Sequence, residues 1–212
     1  QRGGDRLLLA IKAAVDDQPD NRVVLTGSTN FLTVPTLSES LAGRAGLVQL
    51  WPFSEGELAG RPETFLQQAF DQPGALAEVS TDPWPRERYW AAMVRGGFPE
   101  PAALTSRVAR DAWFDGYLTT VTLRDLGQVA DVRRPQDLLR LMRYAAASTG
   151  REVVKTEWGP ALGIERHRLA AYLGLLETAY LVSDVPSWST DAARRVRRHP
   201  KLMAVDSGLV AH

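Results

Sequence analysis

Arg22-Val23-Val24-Leu25-Thr26-Gly27-Ser28-Thr29-Asn30 is the stretch from which the order of the chain follows. Val23, Val24 and Leu25 are continuously apolar and mostly β-branched, as expected of a strand covered on both faces of a parallel sheet. The polar run Thr26–Asn30 closes the C-terminal end of that strand, where open α/β sheets bind their ligands. Upstream, Leu7, Leu8, Ile11, Ala14 and Val15 recur at helical spacing and predict a helix over residues 5–16. Asp16-Asp17-Gln18-Pro19-Asp20-Asn21 is a turn cluster that ends it. Downstream, Leu47-Val48-Gln49-Leu50-Trp51 reads as the next strand, reached by a crossover over residues 30–43 that is helical after Pro35. Short apolar strands joined in this way predict an α/β layer, here a partial P-loop-type sheet.

The chain then turns helical. Ser54-Glu55-Gly56-Glu57 has the spacing of a capping box at a helix start. A helix over residues 62–70 carries Phe65, Leu66 and Phe70, and residues 71–85, with Pro73, Gly74, Pro83 and Pro85, form a linker. Helices over about 85–95 and 105–126 are separated by Gly96-Gly97-Phe98-Pro99-Glu100-Pro101, the second presenting Trp113, Phe114, Tyr117 and Leu118 as a packed face.

Residues 135–182 are the most legible unit. Pro135 suits a first helical turn, and Leu138, Leu141, Met142 and Ala145 form a stripe that ends at Gly150. A short helix around Thr156–Leu162 contains Pro160, which departs from the usual pattern. After Gly163-Ile164, a long helix from Glu165 to about Tyr180 buries Leu169, Tyr172, Leu173, Leu176 and Tyr180. Three helices with a tight Gly-containing turn before the third predict a helix-turn-helix. Val182–Val185 and Leu202–Val205 predict paired strands whose connecting loop is a wing. The expected organisation is a partial α/β domain over 1–70, a helical connector over 71–130 and a winged-helix-like domain over 131–212, helix-rich overall.

Composition narrows the chemistry. The 212 residues carry 25 Lys+Arg and 25 Asp+Glu, but the charge is unevenly placed. Residues 1–100 hold 9 cations against 13 anions, a net −4, and residues 101–212 hold 16 against 12, a net +4. An anion-binding face therefore belongs to the C-terminal half. Only Lys12, Lys155 and Lys201 are lysines, so arginine, the better bidentate phosphate ligand, supplies most of the positive charge; a codon bias gives the same excess. The absence of cysteine excludes disulfides and thiolate chemistry and fits a reducing, cytoplasmic setting. His167, His199 and His212 show no metal-ligand spacing. No apolar run is long enough to cross a membrane, so no membrane association is expected.

Several segments together resemble AAA-type ATP-binding proteins of bacteria and archaea with a C-terminal domain of unknown function. They are Leu25-Thr26-Gly27-Ser28, Glu39-Ser40-Leu41-Ala42-Gly43-Arg44 and Trp51-Pro52-Phe53-Ser54-Glu55-Gly56-Glu57-Leu58. The match continues through Gly96-Gly97-Phe98-Pro99-Glu100, Tyr117–Leu126, Ala161–Ile164, His199-Pro200-Lys201-Leu202 and Val205-Asp206-Ser207-Gly208-Leu209. The resemblance implies an ATPase using ATP and Mg2+ in an intact protein. It also implies that Gln1-Arg2 follows the strand bearing the magnesium carboxylate, and no G-x-x-x-x-G-K-[ST] loop occurs in the sequence. This reading makes the chain an internal piece, inactive alone and with no cofactor of its own.

The resemblance assigns sensor-like roles near the γ-phosphate to Thr26, Ser28 and Asn30, with Ser28 foremost; an N-capped strand-to-helix turn explains the same residues. It makes Arg44 a candidate arginine finger for a neighbouring subunit, implying a homo-oligomer, although a helix-terminal arginine paired with Glu39 fits equally. Nucleic-acid contact is expected from Arg166, His167 and Arg168 on the third helix. It is also expected from Arg194, Arg195, Arg197, Arg198 and Lys201 on the wing. A solvated loop tip accounts for the same charge run. Gly174 in mid-helix points to close approach by DNA or by another helix. The partner is therefore DNA or a protein, and a non-enzymatic winged-helix DNA-binding regulator or a protein-interaction module is the alternative to the ATPase reading.

Overall fold

The computed structural model describes residues 4–18, 22–27, 46–78, 83–126, 132 and 134–212. Helix α1 spans Gly4–Asp17, against an expected 5–16. The stretches 22–27 and 46–53 are assigned neither helix nor strand. Their apolar side chains lie largely in solvent, Val24 at 85% and Leu50 at 88% exposure. The crossover expected over 30–43 lies outside the described residues.

Helix α2 (Glu55–Leu58) starts with the expected capping box: the Ser54 hydroxyl accepts from the Glu57 amide, and the Glu57 carboxylate accepts from the Ser54 amide. Helix α3 (Phe65–Asp71) is followed by a 3₁₀ turn at Pro73–Ala77 inside the expected linker. Helix α4 covers Arg86–Arg95 and ends at Gly96, whose φ of +68° reverses the chain without a Cβ penalty. Helix α5 (Pro99–Ala103) begins at a proline, where no amide donor is needed.

The single helix expected over 105–126 is interrupted. Helix α6 runs Arg107–Thr119 and widens into a π-helical turn over Thr120–Asp125. The Thr122 hydroxyl donates to the Leu118 carbonyl at 2.6 Å, competing with the regular backbone ladder, while Val121 and Thr122 are buried. Tertiary burial and the β-branched Thr-Thr-Val-Thr run override helical regularity at this point.

Helix α7 (Pro135–Ala147), α8 (Lys155–Leu162) and α9 (Arg166–Thr178) follow the expected boundaries closely. Pro160 is accommodated inside α8. Gly163 then takes the left-handed conformation, and the Ile164 amide donates back to Gly159 O at 2.9 Å. A Cβ on Gly159 would lie 2.9 Å from Ile164 O, so the tight approach of turn and helix requires glycine there. Along α9 the buried residues are Leu169, Tyr172, Leu173 and Leu176, as the spacing predicts, whereas Tyr180 lies beyond the helix end, half-buried and with a φ of +54°.

Strands β1 (Val182–Val185) and β2 (Lys201–Ala204) pair antiparallel, Val182 opposite Ala204 and Val185 opposite Lys201. The extended stretch before α8 borders the other edge of β2: Gly150 donates to Leu202 O, Leu202 to Arg151 O and Val153 to Pro200 O. Between the strands, where a loop is expected, the basic run folds into a short helix, α10 (Ala192–Arg197). Helix α11 (Ser207–Ala211) closes the described chain. One core joins Phe114, Leu118, Val121 and Leu126 of the expected connector to Leu138, Leu141, Met142, Trp158, Leu169, Leu176, Leu181, Leu202 and Leu209. It lies wholly within the C-terminal half, under the hairpin and helices α7 to α9.

Candidate functional site: the hairpin face and its tie to the N-terminal segment

Three of the segments singled out in the sequence meet at one point. The Phe53 amide donates to Gly97 O at 2.8 Å, and the Gly97 amide donates to Asp206 Oδ2 at 2.6 Å. Asp206 Oδ1 accepts from the Gly208 amide at 2.8 Å and caps α11. The glycines are required by proximity: a Cβ on Gly97 would fall 2.0 Å from Phe53 O, and one on Gly208 2.3 Å from the Phe114 ring. Asp206 is 6% exposed. Burial raises its carboxyl above the ordinary range, opposed by the Gly97, Gly208 and Leu209 amides and by the charge of His212. Around this junction His212 stacks on Phe114 and its Nδ1 lies 2.7 Å from Asp111 Oδ1, while Arg95 pairs with Glu55. The sequence singled out Asp206 only as part of a matched segment; its contact with Gly97, 109 positions away, had no local signal.

The expected cationic residues fall on two elements. On α9, Arg166 and His167 are exposed and Arg168 is half-buried. Glu165, just before the helix, engages two of them, His167 Nε2 at 3.4 Å and Arg168 Nη2 at 3.9 Å. The remaining solvent face is small: Ala170, Ala171 and Gly174 are exposed, and a Cβ on Gly174 would meet open space. On the hairpin, Arg194, Arg195, Arg197, Arg198 and Lys201 are all exposed, and among the described residues none of these arginines forms an ion pair. The N-cap Asp191 orders the run, its Oδ1 accepting from Ala193 N at 2.9 Å and Arg194 N at 3.3 Å. Shortly before that cap, the segment also carries an exposed tryptophan, Trp188, that charge and periodicity did not flag.

Glu177 of α9 and Asp184 of β1 lie side by side, close enough to hydrogen-bond. Burial raises both carboxyls, the charge of Asp184 raises Glu177 further, and Lys155 opposes the rise in each.

Of the nucleotide-side candidates, Thr26 is exposed on a stretch assigned neither helix nor strand, while Ser28, Asn30 and Arg44 lie outside the described residues. Among the described residues no group of three or more His, Asp or Glu side chains could hold a metal ion, and no helix is long and apolar enough to cross a membrane. The residues described do not by themselves fit a triphosphate with Mg2+.

Comparisons with known proteins bear on both halves. Residues 5–59 match a family model described as an AAA domain, and residues 86–212 match one described as a domain of unknown function, DUF8612. The chain belongs to the DUF8612 family. Uncharacterized proteins of Mycobacterium bovis and Mycobacterium tuberculosis are each 30% identical to it over 190 residues. That stretch is 89% of this chain but 37% of each relative's length, so the chain spans well under half of these curated relatives. No solved structure matches. Phe53 lies within the AAA-matched segment, whereas Gly97 and Asp206 lie within the DUF8612 match, so the junction joins the two.

Proposed function

We propose that this chain is the coupling end of an AAA-type ATPase, in which nucleotide hydrolysis in the longer protein is transmitted to a nucleic acid held by residues 135–212. In this reading ATP and Mg2+ are held by groups that these 212 residues do not supply. Thr26, Ser28 and Asn30 act as sensors of the γ-phosphate, and Arg44 reaches the nucleotide of a neighbouring copy. The exposed apolar runs at 22–25 and 47–51 fit strands whose sheet neighbours come from the rest of such a domain. The order helix, extended edge, helix, tight turn, helix, hairpin supports a winged helix.

The observation that carries the proposal is the continuous path from Phe53 through Gly97 to Asp206. This path links the AAA-matched segment to the residue immediately beyond the turn that follows β2. A displacement of one end acts on the other through directional bonds, of which the Gly97–Asp206 bond is buried, where its loss is costly. The hairpin arginines supply the positive field that phosphates require.

The test is a gel shift with a mixed-sequence oligonucleotide at rising salt. The chain is expected to bind at low salt and to release steeply as salt rises. Changing Arg194, Arg195, Arg197 and Arg198 together to Ala is expected to weaken the shift strongly and to make it less sensitive to salt. Absence of any shift at low ionic strength contradicts the proposal.

A further inference from the structure

Trp188 is the feature of the hairpin that the reading above leaves unused. It is 84% exposed, and among the described residues its ring stacks on no other ring and no cation lies over it. The ring sits in a polar stretch, Pro186-Ser187-Trp188-Ser189-Thr190, between β1 and the capped helix α10. Both ends of the connection are held: Val185 pairs with Lys201 at the hairpin mouth, and the Ser189 hydroxyl accepts from the Asp191 amide at 3.2 Å. A large flat ring is thus carried into solvent within ten residues of Arg194, Arg195, Arg197 and Arg198.

The second observation is what α9 lacks. A helix that reads base edges in a groove presents Arg, Lys, Asn, Gln or acidic side chains there. The solvent face of α9 presents Ala170, Ala171 and Gly174, and Glu165 holds His167 and Arg168. Arg166 is the one α9 cation without a carboxylate partner among the described residues. One free arginine cannot specify a sequence, so affinity must come from phosphates and from base faces rather than from base edges. Base faces are hidden inside a duplex and available on a single strand.

We propose that the 186–200 connection is a sequence-independent clamp for single-stranded nucleic acid, in which Trp188 stacks on one base while the four arginines engage the backbone. This rests on the nucleic-acid reading of the hairpin made above. Stacking is sequence-tolerant because every base has a π-face, and the arginine field keeps the strand near the ring.

The experiment is fluorescence anisotropy with a labelled oligo-dT of about twenty nucleotides, a mixed-sequence single strand and a duplex of equal length, across a salt series. The wild-type chain binds both single strands within a few-fold of one another and more tightly than the duplex. Trp188→Ala weakens single-strand binding by roughly 5- to 150-fold, the range expected when one base stack is removed, and leaves the salt slope unchanged. Trp188→Phe retains most of the affinity. The quadruple arginine-to-alanine variant instead flattens the salt slope, by roughly 0.7 for each phosphate that is no longer neutralised. Because all five side chains are exposed, equal thermal melts verify that each variant is folded. If Trp188→Ala binds like wild type while the arginine variant fails, or if the duplex binds more tightly, the clamp is overturned and the nucleic-acid reading survives. If neither variant alters binding, or no oligonucleotide binds at low salt, both fall.

Discussion

Asp206 shows how one side chain can fix three backbone segments. Its two oxygens accept from Gly97 and Gly208, and the carbonyl of Gly97 in turn accepts from Phe53. Asparagine at 206 presents one oxygen and one NH2 group to a site built wholly of N–H donors, leaving a buried donor facing another. Asp206→Asn is therefore expected to cost about 1–3 kcal/mol. In a protein of this size that lowers the melting temperature by roughly 2–12 °C. Gly97→Ala is expected to match or exceed that loss, because its Cβ meets backbone rather than a flexible side chain. Calorimetric melts of the two variants check both, and an unchanged melt for Asp206→Asn shows the junction to be ornamental. Neither effect was legible in the sequence. Gly96-Gly97 reads locally as a helix break, and only tertiary contact reveals that the second glycine is needed for Phe53 to approach.

At the scale of elements, α9 was legible and α10 was not, for opposite physical reasons. The α9 stripe repeats over three turns, so its buried face is written into the spacing of Leu169, Tyr172, Leu173 and Leu176. Helix α10 is a six-residue element, too short for a repeating apolar stripe, created by the Asp191 cap inside a run whose charge reads as a loop. Trp188 escaped notice because a lone aromatic has no period. Its signal was chemical, a ring among serines, threonine and proline beside arginines. The end of α6 was misread because the Thr122 back-bond and burial change the local winding. The packing of α9 on β1 carries its own prediction. Folded-state carboxyls raised above their ordinary values of 4.5 for Glu177 and 3.8 for Asp184 contribute stability below those values. That contribution is lost as pH rises through the raised folded values. Glu177→Gln keeps a donor for Asp184 and removes the proton. The variant is expected to melt higher than wild type at pH 7 and to flatten the pH dependence from about pH 4 upward. Parallel melting curves for the two proteins across that range contradict the raised carboxyls.

For the whole molecule, the division between a well-cored C-terminal half and an exposed N-terminal segment is the organising fact. The strands expected at 22–25 and 47–51 were read from continuous apolar runs, a pattern that indicates burial but not which partner supplies it. Sheet pairing is non-local, so a sequence window carries only half of the information. Helices α7 to α9 depend on local spacing and were correspondingly easier to read element by element. The basic C-terminal half was visible from charge counts alone, whereas its link to the AAA-matched segment arises from contacts between positions 53, 97 and 206. Coupling between distant sites is typically worth roughly 5- to 150-fold in affinity and is reciprocal. An oligonucleotide gripping the hairpin should therefore steady the far end of the junction.

Amide hydrogen exchange measured with and without oligo-dT tests this most directly. The Phe53 and Gly97 amides are expected to exchange several-fold more slowly when the strand is bound, and to lose that response in Asp206→Asn. Protection confined to the hairpin, with Phe53 and Gly97 exchanging at their free rates, contradicts the coupling claim.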